Sequence, residues 1–111
     1  MDNRINMNKK DNWNLGVWNI RSIQNKEMGL EAEFEKMELE ILVVSETKKK
    51  GNGRTLLQNG HTLIYSGVPI NSRASAGVGC LINKYIADQI IKWDPISERI
   101  LTVQITMNIE L

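Results

Sequence analysis

Residues 41–48 read Ile41-Leu42-Val43-Val44-Ser45-Glu46-Thr47-Lys48. Four apolar residues in a row, mostly β-branched and without alternation, fit a strand buried on both faces. That is the usual state of a strand in a parallel sheet. Upstream, residues 27–38 carry Leu30, Phe34 and Met37 at helical spacing, continued by Ile41, so one face of a helix is apolar. Glu31, Glu33, Glu35 and Lys36 are expected on its solvated side. Further upstream, Trp13, Leu15 and Val17 alternate with Asn14, Gly16 and Trp18. This period of two predicts a strand near residues 13–20, with residues 21–25 as the connection. Strand, helix, strand forms a βαβ unit whose two strands run parallel.

Downstream the pattern changes. Residues 45–53, with Lys48, Lys49, Lys50, Gly51 and Gly53, read as a loop. Strands are expected at residues 61–66, 76–82 and 99–105. Residues 86–93 suit a strand, although a helix also fits, and Asp94-Pro95 is expected to break that run. Residues 67–73, with Pro69, form a turn region. The predicted class is therefore α/β (α+β): one βαβ unit followed by a strand meander in a mixed sheet. Residues 1–12 are polar and read as a flexible tail ahead of one unit at 13–111.

The 111 residues fit one small domain. Hydrophobic residues make up 41% and charged residues 24%, values that favour a globular chain over a disordered one. The formal net charge is +1, so any polyanion site must be local. Cys80 is the sole cysteine. It cannot form a disulfide within the chain, and in an apolar strand it reads as a small buried hydrophobe. The first residues hold no apolar leader, and no run is long enough to cross a bilayer. The expected location is intracellular, nuclear or cytoplasmic, with no membrane partner. His61, in an Asn-Gly turn, reads as a surface residue. Trp13, Trp18 and Trp93 read as core residues.

Ligand sites in open α/β sheets lie beyond the carboxyl ends of parallel strands. Asn19 closes the first predicted strand and Glu46 follows the second. If these strands are neighbours, both side chains meet at one rim. A carboxylate there suits Mg²⁺, which commonly uses one or two protein carboxylates beside water and phosphate. A Ser-Glu-Thr run after a strand, as at Ser45-Glu46-Thr47, is more often an ordinary loop start. Lys48, Lys49, Lys50 and Arg54 could neutralise phosphates or simply keep a loop soluble.

The runs Trp18-Asn19-Ile20-Arg21-Ser22-Ile23 and Ile41-Leu42-Val43-Val44-Ser45-Glu46-Thr47-Lys48, separated by the helix, resemble the opening of the endonuclease/exonuclease/phosphatase superfamily. Four further segments narrow the resemblance to LINE-type (non-LTR) retrotransposon endonucleases. They are Lys50-Gly51-Asn52-Gly53, Asn59-Gly60-His61, Ile64-Tyr65-Ser66-Gly67 and Arg73-Ala74-Ser75-Ala76-Gly77-Val78-Gly79. Together they span residues 13–105. Arg21 stands where the repair enzymes of the superfamily tend to be acidic.

The resemblance implies part of a four-layered α/β sandwich of the deoxyribonuclease-I-like type and Mg²⁺-dependent hydrolysis of DNA, with Mn²⁺ as a substitute ion. Glu46 becomes the metal carboxylate, Asn19 a hydrogen-bonding group of the catalytic centre, and Lys48 a supporting charge. Arg21, Lys49, Lys50, Arg54 and Arg73 become candidates for DNA contact. A reverse transcriptase follows such domains in the family. The family's tyrosine, Asp-x-Asn pair, later Asp and Asp-His pair find no match here. The expectation is thus the N-terminal half of a domain, inactive alone, with an uncovered apolar sheet face prone to self-association. Two alternatives are a non-catalytic nucleic-acid or protein interaction module and a fragment of another phosphoesterase of the superfamily.

Overall fold

The computed structural model describes residues 13–106; the polar tail expected over 1–12 lies outside them. The elements are β1 (Leu15–Asn19), α1 (Glu27–Met37), β2 (Ile41–Ser45), β3 (Asn52–Leu56), β4 (Thr62–Ser66), β5 (Val78–Ile82), a 3-10 turn (Ala87–Gln89), β6 (Ile90–Ser97) and β7 (Ile100–Ile105). The first five strands form one mixed sheet in the order β1-β2-β5-β4-β3, and β6 and β7 form a separate hairpin. β1 and β2 pair in parallel, Leu15 opposite Ile41 and Asn19 opposite Ser45. All other pairings are antiparallel.

Alternation along the strands sorts the core onto two faces. Leu42, Val44, Leu63 and Leu81 meet Ile23, Leu30 and Phe34 on the helix side. Ile41, Ile64, Cys80 and Ile82 face the other way, where Trp93 of β6 and Leu101, Val103 and Ile105 of β7 pack against them. The described residues thus stack in three layers: helix, sheet, hairpin. Cys80 is buried as expected, and burial pushes its thiol up to about 12.

Several expectations need correction. Val43 is 40% exposed, so β2 is not buried on both faces along its whole length. The face opposite the helix is nevertheless not left bare. The hairpin covers its β4–β5 part, while Leu15, Val17 and Val43 stay exposed beside an apolar groove bounded by Leu101 and Val103. Trp18 is 41% exposed because β1 is an edge strand, whereas Trp13 and Trp93 do pack against the core. Met37, at the end of the helix, is also exposed.

The loop expected at 45–53 ends earlier, at β3. Asn52-Gly53-Arg54-Thr55-Leu56 has no apolar alternation and is held as an edge strand by its ladder with β4. Asp94-Pro95 does not break β6. The hairpin leaves β6 paired only with β7, and the register shifts between Pro95 and Ser97, so the missing N–H of proline is tolerated.

Glu31 is 1% exposed and not solvated as its place in the charge pattern suggests. Its carboxylate accepts the Asn59 N–H at 3.0 and 3.2 Å, which docks the β3–β4 turn on the helix. Buried Glu40 accepts the Asn14 N–H at 2.6 Å and ties the start of β1 to β2.

Phe34 is 1% and Val17 81% exposed. Phe34→Ala is therefore expected to cost about 3–5 kcal/mol of stability. Val17→Thr, which keeps the β-branch, is expected to stay within about 0.5 kcal/mol. Urea denaturation followed by circular dichroism measures both, and similar losses for the two variants would contradict this assignment of the core.

Candidate functional site

Because β1 and β2 are parallel neighbours, Asn19 and Glu46 lie one step apart on adjacent strands, about 4.8 Å from axis to axis. Both are exposed. The β1–β2 ladder extends past its last pair, the Ile20 N–H donating to the Ser45 carbonyl at 3.1 Å.

The register brings other loops to the same end. Ser45 pairs with Val78, Val78 with Ser66, and Ser66 with Asn52. The loop after β2 therefore runs across the whole rim to β3, and the β4–β5 connection closes beside it. Thr47 is the knot. Buried, it donates its N–H to the Gly77 carbonyl at 3.1 Å and accepts the Ile23 N–H on its own carbonyl at 2.8 Å. Its Oγ1 accepts the Lys49 N–H at 3.2 Å. The Lys48 N–H donates to the Ala76 carbonyl, and the Gly77 N–H to the Glu98 carbonyl in the hairpin turn. Ser66 Oγ donates to the Ser97 carbonyl at 2.6 Å. Four segments distant in sequence are thus fastened together at this end.

The backbone here is forced. Among the described residues, seven non-glycine residues have positive φ: Arg21, Ser22, Asn25, Glu38, Glu46, Lys48 and Ala76. All but Glu38, which ends the helix, belong to the loops that meet at this rim. Left-handed backbone outside glycine, asparagine and aspartate costs of order 1–3 kcal/mol per residue and persists where surrounding contacts impose it. Glu46 and Lys48 are both held this way, with φ near 54° and 56°.

Of the cationic residues singled out by the sequence, Arg21, Lys48, Lys49, Lys50 and Arg73 all sit in these loops. Lys48, Lys50, Arg21 and Arg73 are exposed. Lys49 is half-buried, with its ammonium 4.7 Å from the centre of the Tyr65 ring, a cation–π contact that gives it a structural role. Arg54 stands apart, two residues into β3 on the far edge, where its Nη2 donates to the Ala87 carbonyl at 3.3 Å. Arg99, in the hairpin turn, joins the rim cations. The sequence gives no local sign of this, since its place depends on how the hairpin docks.

His61 is not a surface residue. It is 2% exposed and precedes β4, whose Thr62 pairs with Ile82, itself paired with Ile41. It therefore lies at the opposite end of the sheet from Glu46, six residues along the strand direction or roughly 20 Å, and two strands across. No group of three or more His, Cys, Asp and Glu side chains is arranged to hold a metal ion among the described residues. No helix among them is long and apolar enough to cross a membrane. Comparison with protein-family models, with curated proteins and with solved structures finds no match for this chain.

Gly77 has φ of 94°, and a Cβ there would lie 2.3 Å from Thr47 Oγ1. Gly77→Ala is expected to destabilise the protein by about 1–3 kcal/mol or more and to broaden the amide resonances of Thr47 and Lys48. Unchanged stability and spectra would show that the knot at Thr47 tolerates displacement.

Proposed function

We propose that this rim is the phosphate- and metal-binding part of a Mg²⁺-dependent DNA endonuclease of the endonuclease/exonuclease/phosphatase type, related to the LINE-type retrotransposon enzymes. The observation that carries the reading is the pairing of Asn19 with Ser45 in the parallel strands β1 and β2, which sets Asn19 beside the next residue, Glu46, at their carboxyl ends. Around this pair lie strained, cross-linked loops bearing Arg21, Lys48, Lys50 and Arg73.

The donor fits a hard cation in kind: one exposed carboxylate from Glu46, leaving positions for water and phosphate. Bound there, Mg²⁺ would stabilise the negative charge that develops on a phosphodiester and its leaving oxygen. Glu46 would hold the ion. Asn19 would orient the phosphate by hydrogen bonding, and Lys48 would add positive charge beside it. The exposed arginines and lysines of the rim would follow the DNA backbone, a contribution independent of sequence and weakened by salt. His61 takes no part as a base, because it is buried at the other end of the sheet.

Three measurements test the reading. Addition of Mg²⁺ is expected to shift the amide resonances of Asn19, Glu46 and Thr47, and the shifts should vanish in Glu46→Ala. Duplex DNA binding by fluorescence anisotropy should weaken with salt. Lys48→Ala with Lys50→Ala should reduce the logarithmic salt slope by about 0.9 for each phosphate the protein no longer neutralises. Plasmid nicking with Mg²⁺, if it occurs, must disappear in Glu46→Ala. The absence of both the Mg²⁺ shifts and the salt-dependent binding would overturn the proposal.

A further inference from the structure

His61 is the sole histidine, and its ring is sealed between the β3–β4 turn, α1 and the loop after β5. The Phe34 ring meets it edge-on, with centroids 5.1 Å apart. Nδ1 accepts the Lys84 N–H at 3.1 Å, so this nitrogen carries no proton in the folded state, and the neutral ring has its hydrogen on Nε2. Nε2 is buried and has no hydrogen-bond partner. The nearest acceptor is Glu35 Oε2 at 3.9 Å, beyond hydrogen-bond reach.

The same turn is pinned by its neighbours. Glu31 and Glu35 of α1 accept the main-chain and side-chain N–H groups of Asn59. Lys84 Nζ donates to the Asn59 carbonyl at 3.3 Å. Glu31 and Glu35 from the helix and Lys84 from the loop after β5 are the charged groups acting on the ring. No charged residue comes from the turn itself, which reads Leu57-Gln58-Asn59-Gly60.

We propose that His61 is a pH-sensitive latch, holding the β3–β4 turn and the loop after β5 against α1 while neutral and releasing them when protonated. Protonation places an N–H on Nδ1 where the Lys84 N–H already points, so two donors face each other across 3.1 Å. It also buries a cation whose second N–H points at the Glu35 carboxylate from 3.9 Å, too far for a hydrogen bond to offset the desolvation.

Burial, the largest influence, lowers the His61 pKa below 6.5. Lys84 acts in the same direction, and Glu31 and Glu35 oppose it without prevailing. The unfolded chain therefore binds a proton near pH 6.5 that the folded chain still excludes. Between that pH and the lower folded-state value the unfolded state holds more protons. Stability thus falls as pH falls through this window and is unaffected by His61 above it.

The test is a pH titration of the whole chain from pH 8 to pH 5. The single imidazole signal in NMR is expected to titrate below pH 6.5. The Lys84 and Asn59 amides should lose exchange protection, after correction for intrinsic rates, as it does so. The melting temperature should fall more between pH 7 and pH 5 in the wild type than in His61→Asn, whose side-chain oxygen can still accept the Lys84 N–H. Should the variant not fold, the imidazole titration and amide protection of the wild type decide alone. A titration at or above pH 6.5, or protection that does not change as the ring titrates, overturns the proposal; the former would mean that Glu35 closes on Nε2 and forms an ion pair.

Discussion

The parallel ladder between β1 and β2 is the constraint on which the rest of the molecule depends. Two strands that run the same way cannot be joined by a tight turn; the chain must return across one face of the sheet. Here it returns as α1, which fixes that face as the helix side and brings Phe34 and Leu30 onto Leu42 and Val44. The same constraint places the carboxyl ends of both strands together. Asn19 and Glu46 become neighbours although 26 residues separate them in sequence.

Antiparallel pairing then extends the sheet from β2 through β5 to β4 and β3. Each added strand sends a loop back to the rim where β1 and β2 end. Thr47 converts this proximity into rigidity, because its main chain bonds to two other segments while its hydroxyl fixes its own loop. The strained residues gather where these bonds are densest. At the opposite end of the sheet a second polar cluster, built on Glu31, Glu35, His61 and Lys84, fastens the β3–β4 turn to the helix. One end carries exposed carboxylate and cations; the other carries a buried imidazole. This separation lets the proposed metal-phosphate role and the proposed protonation-linked role be tested independently of each other.

The hairpin β6–β7 gives the sheet its second covered face. It packs by Trp93, Leu101, Val103 and Ile105 and leaves Leu15 and Val17 of the edge strand open. Its outer face also exposes Ile96 and Ile100. Apolar residues remain at the surface because a two-stranded hairpin is too narrow to span five strands.

The sequence alone determined the βαβ opening, the helix to within one residue of its end at Met37, the burial of Cys80 and the candidate pair Asn19 and Glu46. Each rests on local periodicity, or on the rule that parallel strands present their carboxyl ends to a ligand. Tertiary structure alone decided the rest. β3 has no apolar pattern of its own and exists through its ladder with β4. Pro95 is tolerated in β6 because the hairpin leaves it without a second partner strand. Glu31 and His61 look like surface residues in sequence, yet each is buried by a segment more than twenty residues away that brings the matching donor. Arg54 follows the lysines in sequence, but the direction of β3 carries it down from the rim. In each case the deciding partner is remote along the chain, and such partners leave no mark in a local pattern of polar and apolar residues.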